Sequence, residues 1–182
     1  AWEISHQTVD AVKGVLTCKP DYLVMGRSAV TLFGGAEGAL KWRQNIEEVS
    51  GLGVSTGSEA VAAALAAYGN IKKVAFFSPY YPTANAEVSK FLSDYGYETS
   101  SDIALQCPSW TSIAEVSERQ VIDTFKALDG DDVDAIIQCG TNVSAMRAAA
   151  AAELYLDKPV IAINTATYWH ALRTNGFYEP VY

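Results

Sequence analysis

The sequence predicts an α/β protein built on parallel sheets, and three observations carry that expectation. Short β-rich apolar runs recur along the 182 residues, helical patterns separate them, and glycine or small hydroxyl residues stand where each run ends. A helix is expected over 1–17, where Val9, Val12, Val15 and Leu16 repeat at helical spacing. Tyr22-Leu23-Val24-Met25 reads as the first strand, followed by a helix over 35–49, a strand at Gly53-Val54 and a helix over 57–69. Gly69-Asn70-Ile71-Lys72-Lys73 ends that helix and opens the buried run Val74-Ala75-Phe76-Phe77, so it is the expected crossing between two lobes. A helix over 83–95, a strand within 97–105 and a helix over 112–128 come next. Ala135-Ile136-Ile137-Gln138, a helix over 142–155, Val160-Ile161-Ala162-Ile163 and a helix over 165–174 complete the pattern.

Composition narrows the function. Hydrophobic residues make up 49% of the chain, enough for a sizeable core in one medium domain or two small lobes. A net charge of −8 disfavours a nucleic-acid partner, which would need a basic stripe. No apolar run approaches membrane-spanning length and nothing at the start resembles a signal peptide, so no membrane partner and a cytoplasmic location are expected. The chain opens at Ala1 without methionine and enters a helical pattern almost at once, which suggests that its true beginning is missing. The spacing of Cys18, Cys107 and Cys139 fits neither a disulfide framework nor a zinc site, and all three read as reduced thiols.

Cys139 is the residue that most invites a chemical reading. It ends an apolar run, Gly140 follows, and a helix start is expected just beyond. Amides at such a helix start would favour the thiolate and aim the sulfur at a crevice; the alternative is a packed core cysteine. In parallel sheets ligands bind beyond the carboxyl ends of the strands. Those ends carry Gly26-Arg27-Ser28, Ser55-Thr56-Gly57-Ser58, Ser78-Pro79-Tyr80-Tyr81, Cys139-Gly140-Thr141-Asn142 and Asn164-Thr165-Ala166-Thr167. Each hydroxyl alone reads as a helix cap, but together they suggest a polar crevice able to capture an anion with local donors.

Other chemistries lack their motifs. Gly51-Leu52-Gly53-Val54-Ser55-Thr56-Gly57 has the wrong spacing for a dinucleotide fingerprint, and there is no GxxxxGK phosphate loop. His6 and His170 form no HExxH pattern, and His170 reads as a half-exposed helix residue. The acidic stretch from Asp129 to Asp134 lacks calcium-loop spacing and reads as a solvated turn.

The segments Leu23-Val24-Met25-Gly26-Arg27-Ser28, Val74-Ala75-Phe76-Phe77-Ser78-Pro79-Tyr80 and Cys139-Gly140 resemble the aspartate/glutamate racemase superfamily. So do Asn85, five residues beyond Tyr80, and the late run Trp169-His170-Ala171-Leu172-Arg173. The chain looks most like the branch that holds arylmalonate decarboxylase and maleate isomerase. The resemblance implies two similar α/β lobes with parallel sheets flanked by helices and a cofactor-free active site in the cleft between them. Residues 1–70, joined by the C-terminal helix 165–182, would form the first lobe, missing its N-terminal strands, and 71–164 the second.

Racemases of the superfamily place one cysteine on each side of the substrate. Cys139 would be the second-lobe cysteine, while the first-lobe position falls at Gly26, and Cys18 is no obvious substitute. A single thiol matches the decarboxylase pattern, in which loss of carbon dioxide from a malonate leaves an enediolate that one cysteine protonates. Ser28, the Tyr80 hydroxyl and the backbone amides around Cys139 and Gly140 would then hold the remaining carboxylate, with Gly26 and Thr141 also among the substrate-binding residues. Arg27 departs from the small hydroxyl residue usual there, and would either grip a second carboxylate or face solvent. The implied function is a cofactor-independent decarboxylase of a small (aryl)malonate-type carboxylate. The alternatives are a maleate cis-trans isomerase, an amino-acid or hydantoin racemase-like isomerase, and a non-catalytic two-lobed carboxylate-binding protein. A homo-oligomer stays open.

Overall fold

Runs that are apolar on both faces make central parallel strands, whereas helices need only one apolar stripe, and that division builds the molecule. The computed structural model describes residues 6–180. The elements are α1 His6–Leu16, β1 Leu23–Val24, α2 Ala29–Leu32, α3 Gly35–Ser50, β2 Val54–Ser55 and α4 Gly57–Tyr68. They continue with β3 Lys73–Ser78, α5 Pro82–Asp94, β4 Glu98–Ala104, α6 Trp110–Ala114, α7 Glu118–Leu128, β5 Ala135–Gln138, α8 Met146–Leu156, β6 Val160–Ala162 and α9 Ile163–Thr174. Two sheets result, one of β1 and β2 and one in the order β4-β3-β5-β6, with every pairing parallel.

Strand alternation sorts the core into layers. On one face of the larger sheet, Val74, Phe76, Ile137 and Cys139 meet Val61 and Leu65 of α4 and Val88 and Phe91 of α5. On the other, Ala75, Phe77 and Ile136 meet Val121 and Phe125 of α7 and Ala148 and Ala149 of α8, with Phe77 and Phe125 packed edge to face at 5.3 Å. Val12, Leu23, Trp42, Ile46 and Val54 fill a smaller core beside β1 and β2. The last helix, α9, returns across α4 and both strands of the small sheet.

Several element boundaries need correction. The helix expected over 112–128 is two helices, because Ser117 accepts from the Gln120 amide and starts a new one after Ala114. The helix expected from 142 starts at Met146, since Gly140 at φ +114° and a Val143 to Gly140 backbone hydrogen bond turn the chain first. The short helix α2 had no periodicity to announce it, and α9 begins at Ile163, directly on β6. The first part of the helix expected over 1–17 lies outside the described residues, the strand expected over 22–25 shrinks to Leu23–Val24, and the one expected at 53–54 shifts to Val54–Ser55.

The start of α3 is bound by carboxylates from α5. Glu87 accepts from the Gly34 amide at 2.8 Å and Asp94 from the Ala36 amide at 2.9 Å, so negative charge meets the positive end of the helix. Gly35 sits between them at φ +70°, and a β-carbon there would overlap the Asp94 carboxylate. Gly35→Ala is therefore expected to cost about 2 kcal/mol, from left-handed strain plus a weakened cap. Thermal melting checks this, with a fall of roughly 4–8 °C for a chain of this size.

Candidate active site

Three strand ends converge. β1 runs into Gly26-Arg27-Ser28, β3 into the Ser78-Pro79-Tyr80 turn, and β5 into Cys139-Gly140-Thr141. They meet through the buried Ser28, whose hydroxyl lies 3.1 Å from the Tyr80 hydroxyl and accepts from the Thr141 amide at 3.2 Å. A cleft of about 410 Å³ opens beside this junction, lined by Gly26, Arg27, Ser28, Tyr80, Thr141 and Asn142, with Ala29, Trp110 and Ile113 as its apolar wall.

Tyr80 is held from behind. The Ser78 hydroxyl accepts from the Tyr80 amide at 3.1 Å and donates to Asn85 at 2.5 Å, and the Asn85 amide donates to Asp102 at 2.6 Å. The chain leaving β4 clamps the same turn, as Cys107 and Gln106 donate backbone hydrogen bonds to Pro79 and Tyr80. Burial pushes the Tyr80 phenol above its ordinary range, against the lowering effect of the Ser28 hydrogen bond. It remains a neutral hydroxyl able to donate.

Neither Cys139 nor Gly140 lines the cleft, whose wall begins two residues beyond Cys139 at Thr141. The Cys139 thiol is 2% exposed, among Leu32, Phe76, Val88 and Ile137, and burial pushes its pKa up to about 12. This corrects the expectation of a helix-stabilised thiolate, because α8 starts at Met146 and the residues just after Cys139 are a turn. The thiol is protonated at neutral pH. Its charge state is felt at Tyr80, as is that of Arg27. Gly140 can follow because it adopts φ +114° with the Pro79 ring where a β-carbon would stand.

Not every strand end reaches the cleft. Ser55 is 2.8 Å from His170 Nδ1 and 3.1 Å from the Tyr22 hydroxyl, while Thr56 caps α4. Asn164 donates to the Thr141 carbonyl at 2.8 Å and Thr167 to Ile163 at 2.6 Å. These groups satisfy one another, so the crevice draws its polarity from three strand ends rather than five. His170 is half-buried, and burial lowers its pKa. Asp134 accepts from the Lys72 and Lys73 amides and Asp129 pairs with Lys158 at 2.6 Å, so these parts of the acidic stretch bind their own surroundings. Among the described residues no cluster of three or more His, Cys, Asp or Glu could hold a metal ion, and no helix is long and apolar enough to cross a membrane.

Sequence reading missed Trp110, Ile113 and the lining role of Asn142. Asn142 donates to the Trp110 carbonyl at 2.8 Å and so ties α6 to the cleft. The available signal was Ser109, a helix cap placing a 69% exposed tryptophan at the first helical position.

The arylmalonate decarboxylase family model matches residues 16–180. The chain belongs to the arylmalonate decarboxylase family. Solved structures agree on the fold of this member of the aspartate/glutamate racemase-like superfamily. An arylmalonate decarboxylase superposes with a TM-score of 0.83 at 22% identity, covering 93% of this chain and 75% of that one. The maleate cis-trans isomerase of Nocardia farcinica gives 0.86 at 22% identity, covering 93% of this chain and 71% of that one. The maleate isomerase of Pseudomonas putida S16 gives 0.81 at 20% identity, covering 93% and 70%. No curated protein matches the chain by sequence.

Proposed function

We propose that this chain is a cofactor-independent carbon–carbon lyase that decarboxylates a small (aryl)malonate-type carboxylate, with Cys139 as the single proton donor. Membership of the arylmalonate decarboxylase family supports a decarboxylase or an isomerase. The observation that carries the choice is glycine at position 26 in a cleft lined by no cysteine, with a single buried thiol, Cys139, two residues before the Thr141 amide that bonds Ser28. A nucleophilic cysteine needs a thiolate, whereas a proton donor needs a thiol.

In the reaction the bond between the α-carbon and one carboxyl group breaks, carbon dioxide departs, and the electron pair enters an enediolate. The hydroxyls of Ser28 and Tyr80 and the Thr141 amide, now bonded among themselves, turn to the enediolate oxygens where charge develops. Ala29, Ile113 and Trp110 leave the departing carboxylate in apolar surroundings. The Gly140–Thr141 turn must draw back for the Cys139 S–H to reach and protonate the α-carbon on one face, and water restores the thiol. On this reading the elements from α1 to α4 together with α9 form the first lobe, and those from β3 to β6 the second. Carbon dioxide release from phenylmalonate tests the proposal, and conversion of maleate to fumarate without carbon dioxide release would overturn it.

The isomerase alternative is tied to the same cleft, since a mutant of the Nocardia enzyme carries a covalently bound succinylcysteine intermediate. That chemistry asks for an additional acid–base group opposite Cys139. The place for one is open, because a β-carbon built on Gly26 meets nothing within 4 Å and the backbone is not left-handed there. Gly26→Cys is therefore expected to fold with a stability change within about 0.5 kcal/mol, as at ordinary unstrained positions. It should gain α-proton exchange, read as deuterium uptake and loss of optical purity in a chiral α-aryl carboxylate. A folded variant without exchange would count against Gly26 facing Cys139 across the substrate.

A further inference from the structure

Arg27 is the only charged residue among those lining the cleft. It is exposed, makes no ion pair among the described residues, and belongs to a chain whose net charge is −8. The protein's overall field does not attract anions, so a substrate anion must be met locally, and Arg27 is the cation the cleft lining offers for it.

The anion it meets can be located by elimination. On the lyase reading, Ser28, Tyr80 and the Thr141 amide, which bond one another around the buried Ser28, would hold one carboxylate. A leaving carboxylate has no use for a cation, because stabilising it in the ground state raises the barrier to its loss. Arg27, unlike the buried Ser28, is an exposed residue of the lining, as is Trp110, so its charge is available to the solvent-facing end of a bound substituent. A guanidinium presents a planar fork of donors that fits a carboxylate.

We infer that the substrate carries, besides its malonate group, an anionic terminus on the α-substituent, a distal carboxylate held by Arg27. The inference rests on the lyase reading and narrows its substrate class: malonates with a carboxylated side chain are bound in preference to plain aryl or alkyl malonates, which the same cleft still turns over.

The test compares 2-(2-carboxyethyl)malonate with its ω-amide, which has the same shape and lacks the distal charge. Binding of each is measured by calorimetry on full-length Cys139→Ala protein, with Arg27 present and with Arg27→Gln, so that turnover plays no part. With Arg27 the carboxylate should bind about tenfold more tightly than the amide, between an exposed ion pair and a buried charged hydrogen bond. In the Arg27→Gln protein the two should bind within about twofold of each other, and Arg27→Lys should recover part of the preference without the fork geometry. A preference that survives Arg27→Gln overturns the inference, as does equal binding of the two compounds with Arg27 present or binding of neither. Failure of the lyase reading shows separately, as absence of carbon dioxide release by the wild-type chain from either malonate.

Discussion

The Cys139→Ala protein folds and loses turnover by about 10² to 10⁴, the range a positioned general acid contributes. The thiol sits in the core, so its removal also costs about 1 kcal/mol through the small void left among Leu32, Phe76 and Val88. That is a melting shift of only a few degrees, too small to explain the activity loss. The expected pH behaviour follows from the same burial. A thiol pushed up to about 12 does not titrate near neutrality, so the turnover profile of the wild-type chain has no limb from Cys139 between pH 6 and 9. Its contribution to stability is complete below the ordinary thiol range near 9 and is lost as the pH rises toward 12. Iodoacetamide at pH 8 should modify the exposed Cys18 first and leave Cys139 for last. An active Cys139→Ala protein would remove the residue from the mechanism.

Gly140→Ala is expected to be the most damaging conservative change in the site. The position requires φ +114°, and the added methyl would overlap the Pro79 ring. Strain of this kind costs about 1–3 kcal/mol, and overlap with a packed ring a similar amount, giving about 4 kcal/mol in all. Either the turn moves or Pro79 moves, and both displace a donor: Thr141 follows Gly140, and Tyr80 follows Pro79. Melting should fall by roughly 8–16 °C, with turnover lost even at temperatures where the variant is folded. A variant that melts within 2 °C of wild type and turns over normally would mean that the turn does not set the site.

Much of the framework was legible because burial on both strand faces leaves a continuous apolar run, as in Val74 to Phe77 and Ala135 to Gln138. The meeting of Gly26, Ser28, Tyr80 and Cys139 at strand ends could be anticipated for the same reason. The depth of Cys139 could not, since the core cluster it joins includes Leu32 and Val88 from helices distant in sequence. Nor could the state of its sulfur: Gly140 turns the chain, and the helix begins at Met146, four residues later than expected, too far on to offer its amides. Ser55, Thr56 and Asn164 looked like anion ligands until their partners Tyr22, His170, Glu59 and Thr141 were in view. A small hydroxyl at a helix start serves a cap and a ligand equally well, and only tertiary contacts separate the two roles.

Single-thiol protonation is most directly tested by running the decarboxylation of a prochiral α-methyl-α-arylmalonate in D₂O and following both the carbon dioxide and the product. The account predicts one carbon dioxide per turnover, one deuterium at the α-carbon and a single enantiomer whose α-position does not exchange on prolonged incubation. A racemic product, or an α-deuterium that washes out in the presence of the protein, would contradict it.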